Sequence, residues 1–126
     1  GGLPVALAAL GAELRPGFAA LAERVGLDAA LDAADLVLTG EGRVDEQTPR
    51  GKTVGGLLAR TAARQRPTWI FGGEITPEAE VWCPPHGALV PIADGPRPRE
   101  WLMANAPTLL TRAAARAARL WALCAQ

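Results

Sequence analysis

Cysteine, histidine and lysine are all scarce in this chain: two, one and one in 126 residues, with acids and bases balancing to zero formal charge. Each scarcity excludes something. Cys83 and Cys124 make neither a metal-ligand pair nor a disulfide framework. His86, in Pro84-Pro85-His86-Gly87, has no neighbour in sequence that could share a metal with it, and it reads as a surface-loop residue. A balanced charge argues against the electrostatic footprint of a nucleic-acid binder. The chain is 49% hydrophobic, yet no apolar run approaches the roughly 18 residues of a membrane span. No basic region precedes the first apolar stretch, so no signal peptide is expected. The expectation is a reduced, cytoplasmic protein with neither nucleic acid nor membrane as a partner.

What is present is enough chain for one domain with a real core. The cations are twelve arginines and a single lysine, Lys52, which stands beside Gly51 where a phosphate would want a positive charge. The opening residues, GGLPVALAALGAEL, begin inside a glycine-then-apolar pattern that reads as the middle of something.

Helical spacing and punctuation predict a helix from Pro4 to Leu14 and another carrying Phe18, Leu21, Ala22 and Val25. A helical turn follows over Leu27 to Ala33. Compact apolar runs predict buried strands near 35–39, 68–72 and 88–92, the second closed by Gly72-Gly73. Thr53 to Arg64 reads as a helix, with Gly55 and Gly56 permitting close packing. Thr76 is placed to cap a short helix. Arg99 to Ala104 reads as a helical turn, and Asn105 as the cap of a last helix reaching about Ala125. Strands alternating with helices predict an α/β fold with a short parallel sheet flanked by helices. Ligands bind such sheets outside the carboxyl ends of the strands. Topology therefore points to the segment after the first strand, TGEGRVDEQTPRGK, Thr39 to Lys52.

That segment is too polar and too long for a plain strand-to-helix connection, which takes about 2–6 residues. Gly51-Lys52-Thr53 matches the tail of a nucleotide-binding P-loop, but Glu46 stands where the motif needs its first glycine, so that assignment is rejected. A looser argument survives. Gly51 lets backbone N–H groups approach an anion, the helix beginning near Thr53 presents a positive end, and Lys52 and Arg43 add charge. Glu41, Asp45 and Glu46 could hold Mg²⁺, one of them could act as a general base, or they could be solvated loop acids. Gln47 and Thr48 could bind a ligand or fix the loop. Cys83 lacks the basic neighbour that would make it a thiolate.

The same segment, following DLVL, closely resembles the TGEGR-x-D-x-Q-T-x-x-GK signature of the bacterial glycerate kinase family of glycolate and glucarate breakdown. GAELRPG, PTWIFGG and MANAPTLLTRAAARAARL resemble further family segments, as does the leading Gly1-Gly2-Leu3. The resemblance spans nearly the whole chain. It implies transfer of the γ-phosphoryl group of ATP to D-glycerate with Mg²⁺, 2-phosphoglycerate being the favoured product, in a cleft between two α/β domains.

Signature positions fall on Gly40, Glu41, Gly42, Arg43, Asp45, Gln47, Thr48, Gly51 and Lys52. Glu46, Pro49 and Arg50 fall at variable positions, and Glu46 is dropped as a metal candidate. Asp45 is expected as general base or metal carboxylate, with Arg43 and Lys52 as charge partners of phosphate or carboxylate. The glycines, Glu41, Gln47 and Thr48 are expected in substrate or nucleotide binding.

Family proteins are longer. Their N-terminal strand-and-serine/lysine element and Asp/Gly-rich segment are not found here. Residues 1–126 are thus expected to be a C-terminal Rossmann-like, three-layer portion, with little activity alone and an exposed docking face prone to self-association. The alternatives are a degenerate anion-binding or protein-interaction module, or one half of a split kinase. One departure stands out: Gly72-Gly73-Glu74 replaces an ending of small residues, placing an acid where phosphate is expected.

Overall fold

The computed structural model describes residues 2–50 and 53–124. Among these, the chain runs α1 (Leu3–Ala9), α2 (Gly17–Arg24), α3 (Leu27–Ala33), β1 (Val37–Val44), a 3₁₀ turn (Thr48–Arg50), α4 (Val54–Ala63), β2 (Thr68–Ile75), α5 (Ala79–Trp82), β3 (Gly87–Pro91), α6 (Arg99–Ala104) and α7 (Ala106–Cys124). The strands form a parallel sheet in the order β1-β2-β3. The α/β arrangement expected from the alternation of elements is what the chain builds.

Strand alternation assigns the two faces of the sheet. Ile70 of β2 is buried with Val44, Val54 and Leu58, so α4 covers its side, and Ile75, Trp82 and Leu89 close around that cluster. Trp69 and Phe71 point the other way and meet edge to face at 6.4 Å. Trp69 also meets Trp121 of α7 at 5.8 Å, and α7 buries Leu109 and Ala113. The sheet is therefore sandwiched between helices. Each fully buried aliphatic side chain contributes about 1.5–3 kcal/mol, and α4 and α7 supply most of the helical share.

The strand boundaries differ from those expected in an instructive way. β1 does not end near residue 39. It continues through Gly40, Glu41, Gly42 and Arg43 to Val44, so the first part of the quoted segment is strand, not loop. β2 likewise runs past Gly72-Gly73 to Ile75. The two extensions pair with each other, Arg43 with Glu74 and Val44 with Ile75. The reason is burial: Val44 is 0% exposed, and a strand that ended at Thr39 would leave it without its place in the core. β3 starts one residue early, at Gly87.

The first helix is shorter than its Ala/Leu pattern suggests. It stops at Ala9, and Gly11 follows in the left-handed region at φ 91°. Among the described residues α1 buries none of its side chains. Two capping expectations fail. Glu78, not Thr76, precedes α5, because Thr76 uses its main-chain oxygen to accept from Ala79 N. The Asn105 amide turns back to donate to the Trp101 carbonyl at 2.8 Å, closing α6 rather than opening α7.

Gly55 shows why α4 needs a glycine near its start. A Cβ there would collide with the carbonyl oxygen of Pro49 and come within 2.9 Å of that of Thr48. The 3₁₀ turn thus rests directly on the helix backbone. Gly55→Ala should destabilise the fold by about 1–3 kcal/mol through overpacking. Gly95→Ala, where an added Cβ meets nothing within 4 Å, should be close to neutral. Urea denaturation of the two variants checks this.

Candidate functional site

The parallel register brings the carboxyl ends of β1 and β2 side by side, and the segment leaving β1 folds back over them. Asp45 is the first residue beyond the strand. Its Oδ1 accepts from Gln47 N at 2.9 Å, an Asx turn that bends the chain at once. Its main-chain N donates to Thr48 Oγ1 at 3.1 Å, and its carbonyl accepts from Thr48 N at 3.2 Å. The Thr48 hydroxyl then donates to Glu41 Oε1 at 2.7 Å. Thr48 is 2% exposed, so this hydroxyl is a buried junction between strand and loop. Trp82 Nε1 donates to the Asp45 carbonyl at 2.8 Å from the far side.

Arg43 stands over the sheet end between two carboxylates. Its Nε lies 3.1 Å from Asp45 Oδ2 and its guanidinium 3.6 Å from Glu74 Oε1. The first contact is closer, and the Asp45 side chain is mostly shielded at 19% exposure. The pairing with Glu74 is long and open to solvent, which makes it the weaker of the two.

These residues bound a cavity of about 580 Å³ lined by Glu41, Arg43, Asp45, Glu46, Gln47, Thr48 and Arg50. Three acids and two arginines leave its lining one negative charge in excess. Glu46 and Arg50, at variable signature positions, line it too. Gly40 and Gly42 instead face a second concavity on the α7 side of β1, which Glu41 and Arg43 also line. Gly51 and Lys52 lie outside the described residues.

Among the described residues no group of three or more His, Cys, Asp or Glu side chains is placed to hold a metal ion. A dedicated metal cage is therefore not built from them. Glu41 and Asp45, which share one cavity, could together offer a cation no more than a few carboxylate oxygens.

Trp82 escaped sequence reasoning. It lies 37 residues from Asp45 and its bond goes to a main-chain oxygen, so no side-chain pattern could have flagged it. Among the other reactive side chains, the thiols of Cys83 and Cys124 are free, and burial pushes the Cys83 thiol up from its ordinary pKa. No described helix is long and apolar enough to cross a membrane.

The model of the family described as "Glycerate kinase family" matches residues 1–122. A glycerate kinase of Bacillus cereus (strain ATCC 10987 / NRS 248) is 37% identical over 78 residues, covering 61% of this chain and 20% of the relative. A glycerate kinase of Bacillus subtilis (strain 168) is 34% identical over 107 residues, covering 83% and 28%. A glycerate 2-kinase of Escherichia coli (strain K12) is 34% identical over 82 residues, covering 64% and 22%. The chain thus spans 20–28% of the length of these relatives. No solved structure was found to match it.

Two outcomes follow from this geometry. Thr48→Val should cost about 1–3 kcal/mol of stability, because it strands the Asp45 N–H and removes the donor to Glu41, whereas Thr48→Ser should recover most of it; denaturant titration measures both. At pH 8, iodoacetamide should modify partly buried Cys83 more slowly than exposed Cys124, since burial both shields the Cys83 thiol and disfavours its thiolate. Mass spectrometry of timed aliquots reads the two rates.

Proposed function

Since the chain belongs to the glycerate kinase family, we propose that it carries the signature segment of a cytoplasmic kinase that moves the γ-phosphoryl group of ATP onto D-glycerate, with 2-phosphoglycerate the favoured product. The observation that carries this reading is the fixed Asp45 carboxylate, set beside Arg43 in a cavity at the carboxyl edge of a parallel sheet. Ligands collect at that edge, and phosphoryl transfer asks mainly for positioning and for charges placed where the transferring group will be.

Asp45 is the residue assigned to the acceptor hydroxyl. Its Asx turn to Gln47 and its contact with Arg43 leave the carboxylate little freedom, which suits a group that must meet a hydroxyl within about 2.6–3.2 Å and take its proton. Arg43 supplies positive charge to the phosphoryl group or to the carboxylate of glycerate. Thr48 and Gln47 hold the loop in shape and line the cavity around the acceptor. A Mg²⁺ ion, when bound with ATP, would supply charge neutralisation of the phosphates, and Asp45 with Glu41 are the side chains that would assist in holding it.

The site needs more than these residues supply. Its remaining walls would come from the kind of polypeptide that makes up the other 72–80% of the relatives' length, in the same chain or in a separate one. Assayed alone with ATP and D-glycerate in a coupled assay, the 126 residues should turn over negligibly.

Glu74 favours a second reading. An acid 3.6 Å from Arg43 competes with any phosphate for the same guanidinium, as it would in a degenerate, non-catalytic module. The two readings separate in a kinase that contains this segment. Asp45→Ala should lower turnover by more than about tenfold, equivalent to ~1.4 kcal/mol of barrier. A smaller loss removes Asp45 from the reaction, and no turnover by the parent protein itself favours the module.

A further inference from the structure

Asp45 is held mostly by its own neighbourhood. Among the described residues, its partners Arg43, Gln47 and Thr48 all lie within three residues of it. Such contacts give the turn its shape and tie it to β1, but none reaches another part of the fold. One hydrogen bond to Asp45 does. The indole Nε1–H of Trp82 donates to the Asp45 carbonyl oxygen at 2.8 Å, closer than the 3.2 Å contact that the same oxygen accepts from Thr48 N.

The donor is itself fixed from two directions. Trp82 ends α5 and packs, partly buried, against the core cluster of Val44, Val54, Leu58, Ile70 and Ala79. The segment leading into α5 is fastened to the same strand exit, since Thr76 N donates to the Val44 carbonyl at 3.0 Å. Successive carbonyls at the end of β1, those of Val44 and Asp45, thus both accept from the β2–α5 segment. A partly buried indole needs a partner for its N–H, and here the partner is the residue on which the proposed chemistry turns. Close-packed interiors yield little, so a ring seated in the core carries that stiffness to Asp45.

From this geometry, and resting on the kinase reading above, we propose that Trp82 is a positioning residue for phosphoryl transfer: its N–H locks the Asp45 main chain, and through it the aim of the carboxylate at the acceptor hydroxyl. Trp82 does not line the loop cavity and acts only through Asp45. Its contribution is to keep that carboxylate at attack distance, on which catalysis by positioning depends. Without the indole N–H the Asp45 carbonyl keeps its Thr48 partner, so the turn survives while its orientation loosens.

In a kinase that contains this segment, Trp82→Phe should lower kcat about three- to tenfold, the worth of one neutral hydrogen bond, and leave KM for ATP unchanged. Introduced beside Asp45→Ala it should cost nothing further, because residues that act through one group do not add. Replacing the Trp82 indole by a benzothiophene ring, which keeps both fused rings and lacks the N–H, should match Trp82→Phe, and it stands in should phenylalanine underfill the core. In the 126-residue chain, Trp82→Phe should speed deuterium exchange of the Thr48 amide, which shares the Asp45 carbonyl, by about threefold or more. A kcat loss below about threefold, an equal loss in the Asp45→Ala background, a fully active benzothiophene variant or an unmoved Thr48 amide each overturns the positioning role and leaves the kinase reading standing. A loss of about tenfold or less from Asp45→Ala itself, or a parent protein without turnover, overturns the assignment of Asp45 and that of Trp82 with it.

Discussion

The pairing of Val44 with Ile75 decides where everything in the site falls. Val44 is fully buried, and its place in the core draws β1 five residues beyond the point where hydrophobicity would have ended it. Val44 N–H and C=O positions are fixed in the ladder, and its carbonyl also accepts from Thr76 N at 3.0 Å. One residue before it, Arg43 is set opposite Glu74. One residue after it, Asp45 leaves the sheet with nowhere to go but into a turn. If the register slipped by a single residue, every side chain of β1 would change face, and Val44 would lose its place in the core.

The loop that follows is held by short-range bonds rather than by packing. The Thr48 hydroxyl accepts from Asp45 N and donates to Glu41, so a single buried oxygen ties the strand to the turn. Buried polar groups are costly unless satisfied, and here both donor and acceptor capacities are used. The turn then rests on Gly55 of α4, which passes the order of the core to the loop. A carboxylate placed in this way is rigid before any ligand arrives, a condition for positioning-based catalysis.

Much of this was legible in the residues. Alternating elements gave the α/β class, and topology pointed, without any motif, to the strand edge that carries the candidate site. The boundaries of β1 and β2 were not legible, since Gly40, Gly42, Gly72 and Gly73 read as punctuation when seen in one strand at a time. Their meaning is relational. A Cβ on Gly40 would lie 2.6 Å from the Phe71 carbonyl oxygen, and one on Gly73 would lie 2.7 Å from that of Gly42, so each glycine answers to the neighbouring strand. The same holds for Trp82, whose bond to Asp45 spans 37 residues, and for Asn105, whose amide found a nearer carbonyl. Gly51 and Lys52, which the sequence also singled out, fall outside the described residues. Local pattern reports what a residue prefers, and these positions are decided by a partner that the pattern does not contain.

Glu74 is the point where fold and chemistry pull in different directions. As a strand residue it is well placed, because opposite charges on directly paired positions favour the register. As a neighbour of the proposed phosphate site it would be unfavourable, since it holds part of the positive charge that an anion would need. The magnitudes decide between the two roles. The Arg43–Glu74 contact is long and more than half exposed on both sides, in the range where ion pairs are worth about 0–1 kcal/mol. A charge-assisted hydrogen bond from the same arginine to a phosphate, shielded from water, is worth about 1.5–3 kcal/mol. A phosphate bound there would win that exchange, and Arg43 could leave Glu74 at little cost while keeping its shorter contact with Asp45. On this comparison an acid at position 74 tunes the site more than it disables it.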